Sequence, residues 1–193
     1  MSTHPHFYLL SGRHRRLTDG LGAALSQRGC TLAGRELVDG FARLPFGEQV
    51  AAVAADLQAL DGPRLARVVA HSFGAYLLLH ALALRPPFAG PILLLSPVVG
   101  EAADGQGRIF SPPRAGQLQQ RLAQGLYPLP VRCNIHVGGQ DWQCPVDAVR
   151  ALGDALGATT TVLPDAGHRL PAPYVGRVLD AWLGISNPPL PKK

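Results

Sequence analysis

The sequence predicts an α/β protein with three layers, in which helices cover both faces of a mostly parallel sheet of six strands. Short apolar runs alternate with segments of helical periodicity along the whole chain, as in successive βα units. The chain length of 193 residues suits one compact domain. We therefore expect a single domain over residues 1–184 and a flexible C-terminal tail at residues 185–193.

The first half of the chain predicts three strand–helix units. In each unit a short apolar run precedes a segment whose apolar residues recur at helical spacing. Gly29 ends the first helix, and Gly62 and Pro63 end the second. The predicted elements are a strand at residues 6–10, a helix at 15–28, a strand at 31–37, a helix at 46–60, a strand at 65–71 and a helix that ends before Pro86.

The second half continues this pattern after one interruption. The strand at residues 91–96 is almost wholly apolar, as expected of a central strand covered on both faces. Residues 98–130 are rich in Gly, Pro and Gln, and we interpret them as an inserted, lid-like flap. The remaining predicted elements are a modest helix at 115–124, a strand at 131–137, a helix opened by Pro145, a strand at 159–163 and a helix at 173–183.

Composition excludes several classes of protein. The net charge is +5, but arginines are spread along the chain without a basic, aromatic-interleaved stripe, so we expect no nucleic-acid partner. Three cysteines without a CxxC pair indicate neither a disulfide framework nor a zinc site. No stretch approaches the roughly 20 apolar residues of a membrane span, and no signal peptide is visible. We therefore expect a cytoplasmic protein.

The segment Ala70-His71-Ser72-Phe73-Gly74 lies where a predicted strand runs directly into a predicted helix. So tight a turn leaves no room for large side chains at Ala70 and Gly74, and it pushes the Ser72 hydroxyl outward. This pattern predicts a nucleophilic serine. We expect the neighbouring His71 side chain to point the opposite way, as a structural histidine.

A serine nucleophile needs a base within hydrogen-bond reach and an acid that orients the base. His168 follows the last predicted strand in a glycine-flanked loop, whereas the other histidines precede Ser72 or lie within a helix or strand. Asp141 follows the preceding strand by a glycine turn and is the favoured acid. Asp147 and Asp165 are the alternatives.

The order Ser72, Asp141, His168 on this framework resembles the α/β-hydrolase superfamily over nearly the whole chain. The resemblance implies cleavage of an ester or thioester through an acyl-enzyme, with a small-molecule acyl substrate and without a metal or organic cofactor. Two alternatives stay open. One is an acyltransferase or peptidase that uses the same three residues, and the other is a non-catalytic binding protein on a hydrolase-like scaffold.

The resemblance also implies an oxyanion hole formed by the backbone N–H groups of Phe73 and Arg13. This chain has Ser11-Gly12-Arg13 where the family usually has His-Gly-x, and Ala70 where Gly is commoner. The sequence predicts no counterpart of the two antiparallel strands that usually open the fold, so we expect a minimal version of it.

Three further features near the predicted site have two interpretations each. The run Arg13-His14-Arg15-Arg16 is either an anion-binding cluster or a solvated surface. Trp142 lines the pocket or covers the core. Cys144 contributes packing rather than chemistry in the interpretation that we favour.

Overall fold

The structure, a computed structural model, describes residues 6–60 and 66–185. The strands are β1 (His6–Leu10), β2 (Thr31–Arg35), β3 (Arg67–His71), β4 (Pro91–Leu95), β5 (Ala102–Ala103), β6 (Ile109–Phe110), β7 (Arg132–Gly138) and β8 (Thr159–Leu163). The helices are α1 (Gly20–Ser26), α2 (Asp39–Arg43), α3 (Phe46–Ala59), α4 (Phe73–Leu82), α5 (Gln117–Ala123), α6 (Val146–Leu156) and α7 (Ala172–Leu183). None of the described helices is long and apolar enough to cross a membrane.

Six strands form one parallel sheet in the order β2-β1-β3-β4-β7-β8, which confirms the predicted strand number and direction. The chain first moves outward from β1 to β2 and then crosses back to β3 on the other side of β1. Ligands of such sheets bind at the carboxyl ends of the strands where the order reverses. This rule places the expected site beyond β1 and β3.

Helices cover both faces of the sheet, so the three-layer prediction is confirmed. On one face Phe7 and Leu9 of β1 pack in a cluster with α1 and α7. On the other face Tyr8 and Leu10 pack with α3, α4 and α6. Because successive side chains of a strand point to opposite faces, β1 must be apolar at every position between two covering layers.

The predicted first helix is too long at both ends, because α1 covers only Gly20–Ser26. The residues before it form a turn instead, in which the Arg16 amide donates to the Asp19 carboxylate at 3.2 Å. The Leu17 amide donates to the Glu36 carboxylate at 2.9 Å. The backbone N–H groups of Arg16 and Leu17 thus pair with carboxylates in a turn that precedes the helix.

The other boundaries differ by a few residues, and three elements were not predicted. Helix α2 fills a segment to which the sequence assigned no element, and strands β5 and β6 pair as a short antiparallel hairpin. The predicted stops at Gly62 and Pro63, the start of the strand at Leu65, and the tail after Ile185 lie outside the described residues. Helix α7 ends at Gly184, which adopts φ 73°, as a left-handed C-terminal cap does.

The segment 98–130 packs along α4. The Tyr127 hydroxyl donates to the Leu79 carbonyl at 2.8 Å, and Arg121 donates to the Ala83 carbonyl at 2.8 Å. At the other end of α4 the Tyr76 hydroxyl donates to the carbonyl of Pro113, also at 2.8 Å. These bonds fix the segment to the helix that Ser72 precedes.

Candidate active site

Ser72 occupies a strained turn between β3 and α4. Its backbone has φ 55° and ψ −124°, a conformation that side-chain-bearing residues rarely adopt and that is typical of a nucleophile at a strand–helix junction. The turn also needs a small residue two positions later. A Cβ placed on Gly74 would lie 2.3 Å from the carbonyl oxygen of Leu10 and 2.4 Å from that of Ser11. The absence of a side chain there lets α4 approach the end of β1.

The structure brings Ser72, His168 and Asp141 together in one hydrogen-bonded chain. The Ser72 Oγ lies 2.8 Å from His168 Nε2, and His168 Nδ1 lies 2.9 Å from Asp141 Oδ2. A carboxylate only accepts, so Nδ1 carries the imidazole proton and Nε2 is left to accept from the Ser72 hydroxyl. This tautomer is the one in which histidine acts as a base toward serine.

The Asp141 side chain is fully buried and held on both oxygens. While Oδ2 accepts from His168, Oδ1 accepts from the backbone N–H groups of Gln143 at 3.0 Å and Cys144 at 3.1 Å. A buried carboxylate needs such donors to stay charged. The three hydrogen bonds therefore fix the orientation of the acid.

The loop that carries Asp141 and the loop that carries His168 pack directly against each other. A Cβ placed on Gly138 would lie 2.3 Å from the carbonyl oxygens of both Ala166 and Gly167. The backbone N–H of Gln140 donates to the same Ala166 carbonyl at 2.9 Å. The glycine turn after β7 thus allows the loop after β8 to fold onto it.

The two alternative acids lie apart from this chain. Asp147 is exposed in the first turn of α6, where a negative charge favours the helix N-terminus. Asp165 is exposed on the loop after β8. Neither carboxylate contacts His168 in the described hydrogen bonds, whereas Asp141 does.

The two segments predicted to hold an oxyanion meet beside Ser72. A Cβ placed on Gly12 would lie 3.3 Å from the Ser72 Cβ, so the loop after β1 runs against the serine. Phe73 is the first residue of α4, and an N–H in the first turn of a helix has no acceptor within that helix. The Arg13 guanidinium stands 4.0 Å above the centre of the Phe73 ring, which joins the two segments.

The expectation that His71 points away from the site is wrong. Its ring centre lies 5.7 Å from that of His168, and a Cβ on Gly12 would come within 3.1 Å of its Nδ1. Strand alternation does send His71 to the face opposite Ala70, but β3 ends there and the His168 loop folds over that edge. Burial, and to a smaller extent the nearby His168, lowers the pKa of His71 to about 4. His71 is therefore a neutral neighbour near pH 7.

Cys144 packs behind the histidine. Its Sγ donates to the Ser96 carbonyl at 3.1 Å and lies 3.6 Å from His168 Nδ1. Burial, with the Asp141 charge, raises the pKa of the Cys144 thiol well above its usual range. Asp141, Cys144 and His168 do place ligand atoms within 4.8 Å of one another. A protonated thiol is a poor metal ligand, so this donor set suits proton transfer better than metal binding.

A pocket of about 260 Å³ opens beside Phe73. Its walls come from the loop after β1, from α2 and the start of α3, and from the segment 98–130. The lining residues are Arg13, His14, Leu37, Ala42, Leu44, Phe46, Gln49, Phe73 and Pro113. A second cavity, of about 510 Å³, lies at the opposite end of α4 between Ala83 and Tyr127. Because it is remote from Ser72, the smaller pocket is the candidate substrate site.

The basic run after β1 divides into two parts. Arg13 and His14 line the pocket. Arg16 is instead exposed and paired with Glu36 at 3.3 Å and with Asp39 at 3.0 Å. The solvated-surface interpretation therefore fits Arg16, and only the first part of the run faces the pocket.

Two features of the pocket were missed from the sequence. The short helix α2 was not predicted, so its contribution to the wall was not foreseen. Gln49 was not singled out, although its position within the apolar stripe of the predicted 46–60 helix signals that it faces inward. Trp142 does not line the pocket and stacks under Arg108, whose guanidinium lies 4.8 Å from its ring centre.

No protein-family model matches the chain, and neither does any curated protein. Solved structures do match. A hydrolase of the alpha/beta superfamily from Xanthomonas campestris is 17% identical with a TM-score of 0.65, and the match covers 94% of this chain and 99% of that one. A monoacylglycerol lipase from Paleococcus ferrophilus is 13% identical with a TM-score of 0.69, covering 93% and 95%. Est1E from Butyrivibrio proteoclasticus is 13% identical with a TM-score of 0.66, covering 93% and 87%.

These similarities concern the fold. The chain has the α/β-hydrolase fold, as its sequence predicted, and it matches these structures over nearly its whole length. At identities this low, shared fold does not establish shared substrate.

Proposed function

We propose that this protein is a serine hydrolase that cleaves a carboxylic ester or thioester of a small molecule. The observation that carries the proposal is the hydrogen-bonded chain from Ser72 Oγ through His168 to the buried Asp141 carboxylate. Serine becomes a strong nucleophile only when a base in the correct tautomer lies within hydrogen-bond reach. Two proteins with the same fold, described as a hydrolase of the alpha/beta superfamily and as a monoacylglycerol lipase, add support.

The reaction follows from the proton positions. Ser72 Oγ attacks the acyl carbon while its proton passes to His168 Nε2, and the resulting imidazolium is stabilised by Asp141. His168 then returns the proton to the departing alcohol or thiol as the acyl–Ser72 ester forms. Water, deprotonated by His168, attacks this ester in turn, and the acid product leaves as the Ser72 hydroxyl regains its proton. No step uses a metal or an organic cofactor.

The negative charge that develops on the acyl oxygen needs donors that are already in place. We assign this role to the backbone N–H groups of Phe73, which follows Ser72, and of Arg13, which follows the Gly12 that lies against Ser72. The stack of Arg13 on Phe73 holds their two segments together. The segment 98–130 acts as a fixed cover over α4, and Pro113 forms its part of the pocket wall.

The direct test is a panel of p-nitrophenyl esters and acyl-CoA thioesters, run on the wild type and on Ser72→Ala. Loss of the nucleophile is expected to lower kcat by at least about a thousandfold on every active substrate, since triad members act as a unit. Ser111→Ala is the matched control, because Ser111 is an exposed serine hydrogen-bonded to Glu101. Full activity in Ser72→Ala overturns the mechanism.

A further inference from the structure

The Arg13 side chain lies in the wall of the candidate substrate pocket without a carboxylate partner. Its guanidinium stands 4.0 Å above the centre of the Phe73 ring, and both residues line the pocket. An aromatic face offers no lone pair to a guanidinium, so the N–H donors stay available. No ion pair or side-chain hydrogen bond within the described ranges uses these donors. Arg13 is exposed, so a ligand can reach them.

The acidic residues of the neighbouring segments do not compensate this charge. Glu36 and Asp39 come from the part of the chain that forms one wall of the pocket, but both carboxylates pair with Arg16, at 3.3 Å and 3.0 Å. None of the described residues that line the pocket is acidic. The charge of Arg13 is therefore left without a counter-ion from the pocket wall.

A second guanidinium lies along the same aromatic surface. Arg114 follows the lining residue Pro113, and its guanidinium is 5.8 Å from the centre of the Phe46 ring. The Phe46 and Phe73 rings both line the pocket, with their centres 6.3 Å apart. Arg114 is also exposed and has no carboxylate partner in the part of the chain that the structure describes. It adds to the positive potential at the pocket.

Two more arginines act on the side of the site where His71 lies. Burial and the nearby His168 are the main causes of its lowered pKa, and the charges of Arg15 and Arg169 lower this pKa further. Asp141 acts in the opposite sense, but its carboxylate is already bound to His168. A cleft lined by one sign of charge attracts ligands of the opposite sign and raises their local concentration.

We propose that the Arg13 guanidinium binds an anionic group of the substrate, a carboxylate or a phosphate, so that the enzyme acts on esters or thioesters of acidic small molecules. This inference rests on the proposed function and deepens it, because it names the class of substrate. A planar guanidinium offers paired N–H donors to two oxygens of such a group. The Arg13 side chain is a binding group and takes no part in proton transfer.

Binding can be tested without any turnover. The probes are benzoate, phenyl phosphate and the neutral benzamide. Their dissociation constants are measured by NMR titration of the wild type and of Arg13→Met, which keeps an unbranched side chain and removes the charge. The preference for at least one anion over benzamide is expected to fall at least about threefold in Arg13→Met, as for the loss of one exposed ion pair. Added NaCl should weaken the wild-type preference, since salt screens exposed charges.

Turnover tells on which side of the scissile bond the anionic group lies. On the acyl side, the p-nitrophenyl monoester of adipic acid is compared with the p-nitrophenyl ester of adipamic acid. On the alcohol side, 4-carboxyphenyl butyrate is compared with 4-carbamoylphenyl butyrate. Each pair sets a carboxylate against a carboxamide of nearly the same shape. The kcat/KM ratio of acid to amide is expected to fall at least about threefold within one pair in Arg13→Met. These ratios do not depend on the fraction of folded enzyme.

Arg16→Met is the matched control, because it removes the same charge from the same loop. Arg16 does not line the pocket and is paired with Glu36 and Asp39, so its loss should leave all these ratios unchanged. Unchanged ratios in Arg13→Met overturn the inference. An equal fall in Arg16→Met also overturns it, since net charge alone would then explain the preference.

The inference and the proposed function can fail separately. A binding preference for an anion that depends on Arg13, in a protein that hydrolyses no ester, supports the anion site and contradicts the proposed function. Ester hydrolysis that depends on Ser72 but shows no preference for any acidic substrate or anionic probe supports the proposed function and overturns the inference.

Discussion

At the residue scale, chain order and strand ends predicted the three residues that the structure brings together. Ser72, Asp141 and His168 each follow a strand of the parallel sheet, and carboxyl ends of parallel strands meet at one edge. His71 was misjudged because alternation gives the face of a side chain and not what a distant loop places there. Gln49 was missed because the unpredicted α2 supplies two of the carbonyl oxygens to which its Nε2 donates.

Asp141→Asn tests the role of the buried acid. An amide at this position offers an N–H group to His168 Nδ1 and favours the tautomer that cannot accept the Ser72 proton, so kcat is expected to fall by about 10³–10⁴. Esterase assays and circular dichroism measure activity and folding together. The exposed Asp147→Asn and Asp165→Asn variants are the matched controls and should remain close to wild type. An equal loss in Asp165→Asn would contradict the assignment.

At the element scale, periodicity predicted the long helices well and the short ones badly. Helix α3 begins at Phe46 as predicted, because its apolar stripe repeats over several turns. Helix α2 spans five residues, too few for a period to show. The first helix was predicted to begin too early, at residue 15, where the Leu17 backbone N–H instead donates to Glu36 on a neighbouring segment. Propensity within a segment carries no information about such partners.

Helix α4 contains a buried histidine that should make stability depend on pH. Burial, with Arg114 and Arg121 nearby, lowers the pKa of His80 to about 4, and its Nε2 has no hydrogen-bond partner among the described residues. Between pH 6.5 and 4 the unfolded chain therefore binds more protons than the folded protein does. Stability is complete above pH 6.5 and is lost as the pH falls through this window.

His80→Phe should remove this dependence while keeping the ring contacts with Phe46 and Tyr76. Between pH 7 and pH 5 the free energy of unfolding of the wild type is expected to fall by about 2 kcal/mol through protonation linked to His80. This contribution should be absent in the variant. Urea unfolding at the two pH values measures the difference. Because His71 contributes with the same sign, a residual slope is expected. An unchanged slope in His80→Phe would refute the role of His80.

At the scale of the whole molecule, the parallel direction of the six strands and the helices on both faces follow from the alternation of strands and helices in the sequence. The sequence could not show which side-chain contacts connect segments that are distant in the chain. Arg28, after α1, donates to Asp180 of α7 at 2.7 Å and to the Gly176 carbonyl at 3.1 Å, across about 150 residues of chain. Both side chains of the ion pair are largely buried, with 20% and 17% exposed. No local pattern predicts such a pair.

Arg28→Met should therefore destabilise the layer formed by α1 and α7. Loss of one partner of a largely buried pair is expected to lower the free energy of unfolding by about 2 kcal/mol. The exposed Arg16→Met serves for comparison and should cost less than about 1 kcal/mol. Chemical unfolding of both variants measures the contrast. Equal losses of unfolding free energy in the two variants would contradict the expectation that the buried Arg28–Asp180 pair stabilises the fold more than an exposed pair does.

The central claim is that Ser72 is an activated nucleophile, and covalent labelling tests it most directly. The wild type is treated with a fluorophosphonate probe, followed by intact mass measurement and peptide mapping. One equivalent of probe on Ser72 is predicted, with no labelling of Ser72→Ala and at least a hundredfold slower labelling of His168→Asn, which lacks the base. An unlabelled wild type, or equal labelling of Ser72→Ala, would contradict the claim.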